Sequence, residues 1–89
     1  MEFHVDVSTV KTREDLHKML TVGLPLPSYY GNNLDALYDI LTEPHEQWDV
    51  TFTGCANAKQ ALGAYFENLR ETFSDATEEG CSVTAVWND

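Results

Sequence analysis

The chain has 89 residues, 43% of them apolar and including four Phe, four Tyr and two Trp. That is enough for one packed core burying about 60–65% of the extended surface, and it excludes a disordered acidic tail. Fifteen acidic residues against five basic ones give a net charge of −10; nucleic acid and anionic membranes are excluded as partners, because phosphate binding needs cations. In chain order, Phe3-His4-Val5-Asp6-Val7 alternates apolar and polar residues and predicts a half-buried strand. Thr12-x-x-Asp15 has the spacing of a capping box, Leu16, Met19 and Leu20 form the apolar stripe of a short helix, and Gly23 is expected to end it. Leu24-Pro25-Leu26-Pro27 is barred from helix by its prolines and predicts an extended connector. Tyr29-Tyr30-Gly31-Asn32-Asn33 supplies turn residues and a helix N-cap. A second helix is predicted from about Leu34 to Thr42, burying Leu34, Leu37 and Leu41, with Pro44 just beyond it.

The strand Asp49-Val50-Thr51-Phe52-Thr53 follows and Gly54 breaks it. Asn57 to about Glu79 has helical periodicity, with Leu62, Phe66, Leu69, Phe73 and Ala76 on one side and Gly63 as a possible division. Gly80 suits a helix C-terminus, and Ser82 to Trp87 predicts a closing strand. Helical crossovers between strands favour parallel pairing. The expected fold is therefore α/β, a three-stranded mostly parallel sheet with helices packed on it, in a single domain over residues 1–89. No apolar run approaches the ~20 residues needed to span a bilayer. The start, Met1-Glu2-Phe3-His4-Val5-Asp6, lacks the basic and apolar regions of a signal peptide. A complete chain with a cytoplasmic location is expected. Cys55 and Cys81 have no metal-ligand or CxxC spacing and read as small buried hydrophobes, with a disulfide left open.

The charge is unevenly spread. No Lys or Arg lies between positions 19 and 58, a stretch that holds Asp35, Asp39, Glu43, Glu46 and Asp49. A one-sign field of this kind steers a chain toward a cationic partner. On the second helix Asp35 and Asp39 are four residues apart and share a face, roughly opposite the leucine stripe, with Tyr38 near its edge. Like charges at that spacing weaken a helix by a few tenths of a kcal/mol, and the helix dipole compensates only the one in the first turn. Such a pair is either a solvated face or a surface kept for use. Tyr29 and Tyr30 precede it; one of the two is expected to be core and the other an anchor for a partner.

Asp15-Leu16-His17, the run Leu26-Pro27-x-Tyr29-Tyr30-Gly31-x-Asn33-Leu34-Asp35-Ala36-Leu37-Tyr38-Asp39-x-Leu41-Thr42, and Glu79-Gly80-Cys81 together resemble the barstar family of intracellular ribonuclease inhibitors. The resemblance spans nearly the whole chain. It implies that the loop and second helix cap the active site of a small basic ribonuclease, barnase-type or guanyl-specific. By that resemblance Asp39 would occupy the position of an RNA phosphate, Asp35 would meet an arginine, and Tyr29 would pack on a catalytic histidine. Tyr30 and Tyr38 belong to the same contact set, Gly31, Asn33 and Thr42 would hydrogen-bond around them, and Glu79 would add a peripheral charge. The chain departs from the family pattern at Tyr38 and Pro44, where tryptophans stand, and at Cys55. Those departures leave open a cognate enzyme other than barnase.

A second acidic row, Glu67, Glu71, Asp75 and Glu79, reads as a solvated face, with extension of the inhibitory surface by its C-terminal end at Glu79 as the alternative. A catalytic role for Asp35 and Asp39, as in a glycosidase pair, is disfavoured by the small chain and the absence of a phosphate-binding glycine loop. His4, His17 and His45 have no metal-ligand spacing, and His17 reads as a packed structural histidine. No catalytic residue, metal or cofactor is expected, and the free protein is expected to be monomeric. The remaining alternatives are an immunity protein against a delivered ribonuclease toxin and an acidic module for a basic protein that is not a nuclease.

Overall fold

The computed structural model describes residues Met1–Asp89. Its elements are β1 (Glu2–Asp6), α1 (Arg13–Gly23), α2 (Leu34–Thr42), β2 (Trp48–Thr53), α3 (Cys55–Leu62), α4 (Ala64–Glu78) and β3 (Val83–Trp87). The strands form one sheet in the order β1-β2-β3, and both pairings are parallel. The mostly parallel sheet read from the sequence is thus wholly parallel, because each strand returns through a helical pair.

Register sorts the strand residues by face. Val5 lies opposite Phe52, Phe3 opposite Val50, and Phe52 opposite Trp87. These point toward the helices, where Phe52 stacks on Trp87 at 4.1 Å between ring centroids and meets Phe73 edge-on at 5.3 Å. Phe66, Leu69, Phe73 and Ala76 of α4, Leu16 and Leu20 of α1, and Leu37, Ile40 and Leu41 of α2 close one continuous core. The alternate residues, among them His4, Thr51, Thr84 and Val86, form the opposite face, which is open or half-open to solvent.

Local sequence explains most boundaries. Thr12 accepts from the Asp15 N–H at 3.1 Å while the Asp15 carboxylate accepts from the Thr12 N–H at 3.3 Å, so the capping box forms in both directions. Gly63 divides the third helical stretch into α3 and α4. Gly80 follows α4 with φ 84°, a left-handed residue that lets the Cys81 N–H donate to the Ala76 carbonyl at 3.1 Å. Gly23 is a different case from the one expected. It is the last residue of α1, and the cap is Leu24 in extended conformation. A Cβ at Gly23 would lie 2.7 Å from the His4 carbonyl oxygen and 2.8 Å from Val5 Cγ2, so glycine is needed there for close packing of α1 against β1.

Two further readings are refined. Ile40, not Leu34, completes the buried face of α2; Leu34 is only half-buried. Both cysteines are free thiols: Cys55 is buried, which pushes its thiol up, and Cys81 is half-buried.

Candidate functional site

The site begins beneath the surface. His17 is 2% exposed and lies between two phenols, Nδ1 at 2.6 Å from the Tyr30 hydroxyl and Nε2 at 2.6 Å from the Tyr65 hydroxyl. A neutral imidazole has one N–H and one lone pair, so it donates to one hydroxyl and accepts from the other. Tyr30 also reaches the Asn33 carbonyl oxygen at 3.5 Å. This chain of groups ties α1, the loop before α2 and the start of α4 together. Burial holds His17 below the usual histidine range, and burial with the neighbouring Tyr65 pushes the Tyr30 phenol up. All three groups are therefore neutral near pH 7. Arg13 lies over the Tyr65 ring at 4.4 Å, closing the chain on its outer side.

Of the two tyrosines, Tyr30 is the core residue and Tyr29 the exposed one, at 9% and 74% exposure. Tyr30, which the resemblance places among the contact residues, is buried with its hydroxyl turned inward to His17, so it supports the loop from below. Asn33 is the N-cap of α2: its Oδ1 accepts from the Ala36 N–H at 2.7 Å, and its Nδ2 donates to the Gly31 carbonyl at 3.0 Å. That pair of bonds fixes Gly31 and the helix start with one side chain. Asn32 carries the left-handed residue of the turn, φ 53°, a conformation asparagine tolerates.

Asp35 and Asp39 are both exposed on the outer side of α2, opposite the buried Leu37, Ile40 and Leu41. The Thr42 hydroxyl donates back to the Tyr38 and Asp39 carbonyls at 3.0 and 3.1 Å, leaving its lone pairs free to accept. Tyr38 is half-buried where α2 packs on α4. Burial raises its phenol first, and the nearby Glu79, Cys81, Asp75 and Asp39 raise it further. Glu79, the C-cap residue of α4, is thereby a neighbour of the α2 surface. Glu67, Glu71 and Asp75 are exposed as a solvated row would be.

Two depressions flank α2. At its N-terminal end a cleft of about 660 Å³ is lined by Asn33 and Asp35 together with Arg13, Lys18 and Tyr65. At its C-terminal end a groove of about 200 Å³ lies among Pro25, Pro27, Tyr29, Glu43, Pro44 and Trp48. Glu43 is exposed and follows Asp39 by four residues, as Asp39 follows Asp35. From the sequence it is one member of the acidic stretch, and the structure sets it beside the groove. Nowhere do three or more His, Cys, Asp or Glu side chains gather so as to hold a metal ion. No helix is long and apolar enough to cross a membrane.

The family model described as Barstar (barnase inhibitor) matches residues 1–86. The chain belongs to the barstar family. Barstar-family members are inhibitors and not enzymes. A relative in Bacillus subtilis (strain 168), named "Putative ribonuclease inhibitor YrdF", is 35% identical over 80 residues, covering 84% of each chain. The barstar match runs from β1 into β3, ending one residue short of Trp87, and includes the capped loop and α2.

Proposed function

We propose that this protein inhibits a small basic ribonuclease by laying the segment Tyr29–Thr42 across the enzyme's cationic active site. The observation that carries the reading is the pair Asp35 and Asp39, exposed on the outer side of a helix whose start is locked by the Asn33 cap and whose loop rests on the Tyr30–His17–Tyr65 chain. Carboxylates on a pre-formed element lose little conformational freedom when they replace a phosphate among the enzyme's Arg, Lys and His side chains. In this reading Asp39 takes the phosphate position, Asp35 meets an arginine at its rim, and the exposed Tyr29 packs on the catalytic histidine. Gly31, Asn33 and Thr42 supply hydrogen bonds, and Tyr38 with Glu79 forms the edge nearest α4. The partner is barnase-type or guanyl-specific, and its basic surface is complementary to a chain of net charge −10.

The test is an activity titration of barnase and of a guanyl-specific ribonuclease with the intact protein and with Asp39→Ala. Stoichiometric inhibition of at least one enzyme is expected. Asp39→Ala should weaken it at least ~30-fold, the mark of a central interface residue worth about 2 kcal/mol or more. Absence of inhibition of either enzyme refutes the proposal.

A further inference from the structure

Of the residues that line the groove at the C-terminal end of α2, only Tyr29 takes part in the contacts just described. The groove's volume, about 200 Å³, is below the ~300 Å³ at which small-molecule pockets begin, so it matches one long side chain better than a free ligand. It is lined by Pro25, Pro27, Pro44, Tyr29, Trp48 and His45, with Ile40 beside them and Glu43 as its one carboxylate. The base is rigid. His45 stacks on Trp48 at 4.3 Å between ring centroids, and its neutral ring donates to one of the Leu41 and Glu46 carbonyls, which lie 3.0 and 2.5 Å from its two nitrogens. Prolines have no φ freedom to lose, so the three proline walls give up little backbone freedom when a partner arrives. Pro44 is also where the chain departs from the tryptophan of the family pattern.

We infer that this groove receives an arginine of the inhibited ribonuclease, its guanidinium forked on Glu43 and its stem along the proline and Tyr29 walls; the inference rests on the ribonuclease-inhibitor reading. Charge and shape select that occupant. The groove joins one carboxylate to flat apolar and aromatic surfaces, the combination a planar guanidinium uses through bidentate hydrogen bonds and stacking. An ammonium would use the charge but not the flat walls. The groove begins at Tyr29, the exposed anchor of the proposed interface, and Glu43, the C-cap residue just beyond α2, follows Asp39 at the same four-residue step by which Asp39 follows Asp35. A partner seated on Asp35 and Asp39 therefore passes over the groove.

Binding kinetics on the whole protein test this, using whichever of barnase and the guanyl-specific ribonuclease it inhibits more tightly. Glu43→Gln should raise the dissociation rate about 5- to 30-fold, as loss of a desolvated charged contact does. Glu46→Gln, equally exposed but outside the groove, should leave that rate unchanged. One arginine-to-alanine variant of the enzyme should make Glu43→Gln silent in a double-mutant cycle. The inference is overturned if Glu43→Gln behaves like Glu46→Gln, if its effect is confined to a salt-sensitive association rate, or if the coupled residue is a lysine. Asp39→Ala separates the two levels. If Asp39→Ala loses affinity while Glu43→Gln does not, only the arginine groove is wrong; if neither enzyme binds, the inhibitor reading falls and the groove with it.

Discussion

Replacing His17 with glutamine should make the stability of this protein less sensitive to acid. His17 is 2% exposed, and both ring nitrogens are already engaged by phenol oxygens at 2.6 Å. Protonation would give the ring two N–H groups, so both hydroxyls would have to accept, and the Tyr30 proton would have to turn to the Asn33 carbonyl at 3.5 Å. Burial thus holds the folded-state value below the ordinary 6.5. The unfolded chain takes up this proton near its ordinary value while the folded chain resists it. More protons are bound in the unfolded state, so stability falls as pH drops below 6.5 toward the depressed folded value. One proton limits the slope to about 1.4 kcal/mol per pH unit. With a urea m-value of about 1–3 kcal/mol/M, that is a midpoint shift of about 0.5–1.4 M per unit. Urea unfolding followed by Trp48 and Trp87 fluorescence from about pH 5 to 8, in the wild type and in His17→Gln, measures it. The carboxylates are common to both proteins, so the difference between their profiles isolates His17. Parallel profiles below pH 6.5 would refute the reasoning.

Three other outcomes are expected. Asn33→Ala removes the cap of α2 and should cost about 1 kcal/mol, read as a fall of about 4–8 °C in thermal midpoint for a domain of this size. Gly23→Ala forces a methyl against the β1 backbone and should destabilise by about 1–3 kcal/mol in denaturant unfolding, whereas a glycine needed only as a helix end would tolerate it. The association rate with the inhibited ribonuclease should fall by at least tenfold between low salt and about 0.5 M salt, as stopped-flow mixing would show, since screening removes long-range steering.

The fold was largely legible because its signals were periodic. Alternation in Phe3–Val7, the Thr12/Asp15 box and the apolar positions of α4 each match a regular element. Parallel order followed from the helices between the strands. What the sequence hid lay where no period operates. Tyr29 and Tyr30 are adjacent in a loop, and only the position of His17 across the core decides which turns inward. Gly23 looked like a stop signal, whereas its reason is a strand distant in sequence. Asp35 and Asp39 are legible by spacing, whereas Glu43, the residue after α2, is legible only as one more acid in a stretch without Lys or Arg. Its partners in the groove, Pro25, Pro27 and Trp48, come from separate segments.

The sheet's outward face has a practical consequence. It looks away from α2, since the core lies between them. A dye, a surface tether or a fused domain attached through Thr84 or Val86 would therefore leave the acidic ridge unobstructed. The protein can be held from behind and still meet its target head-on.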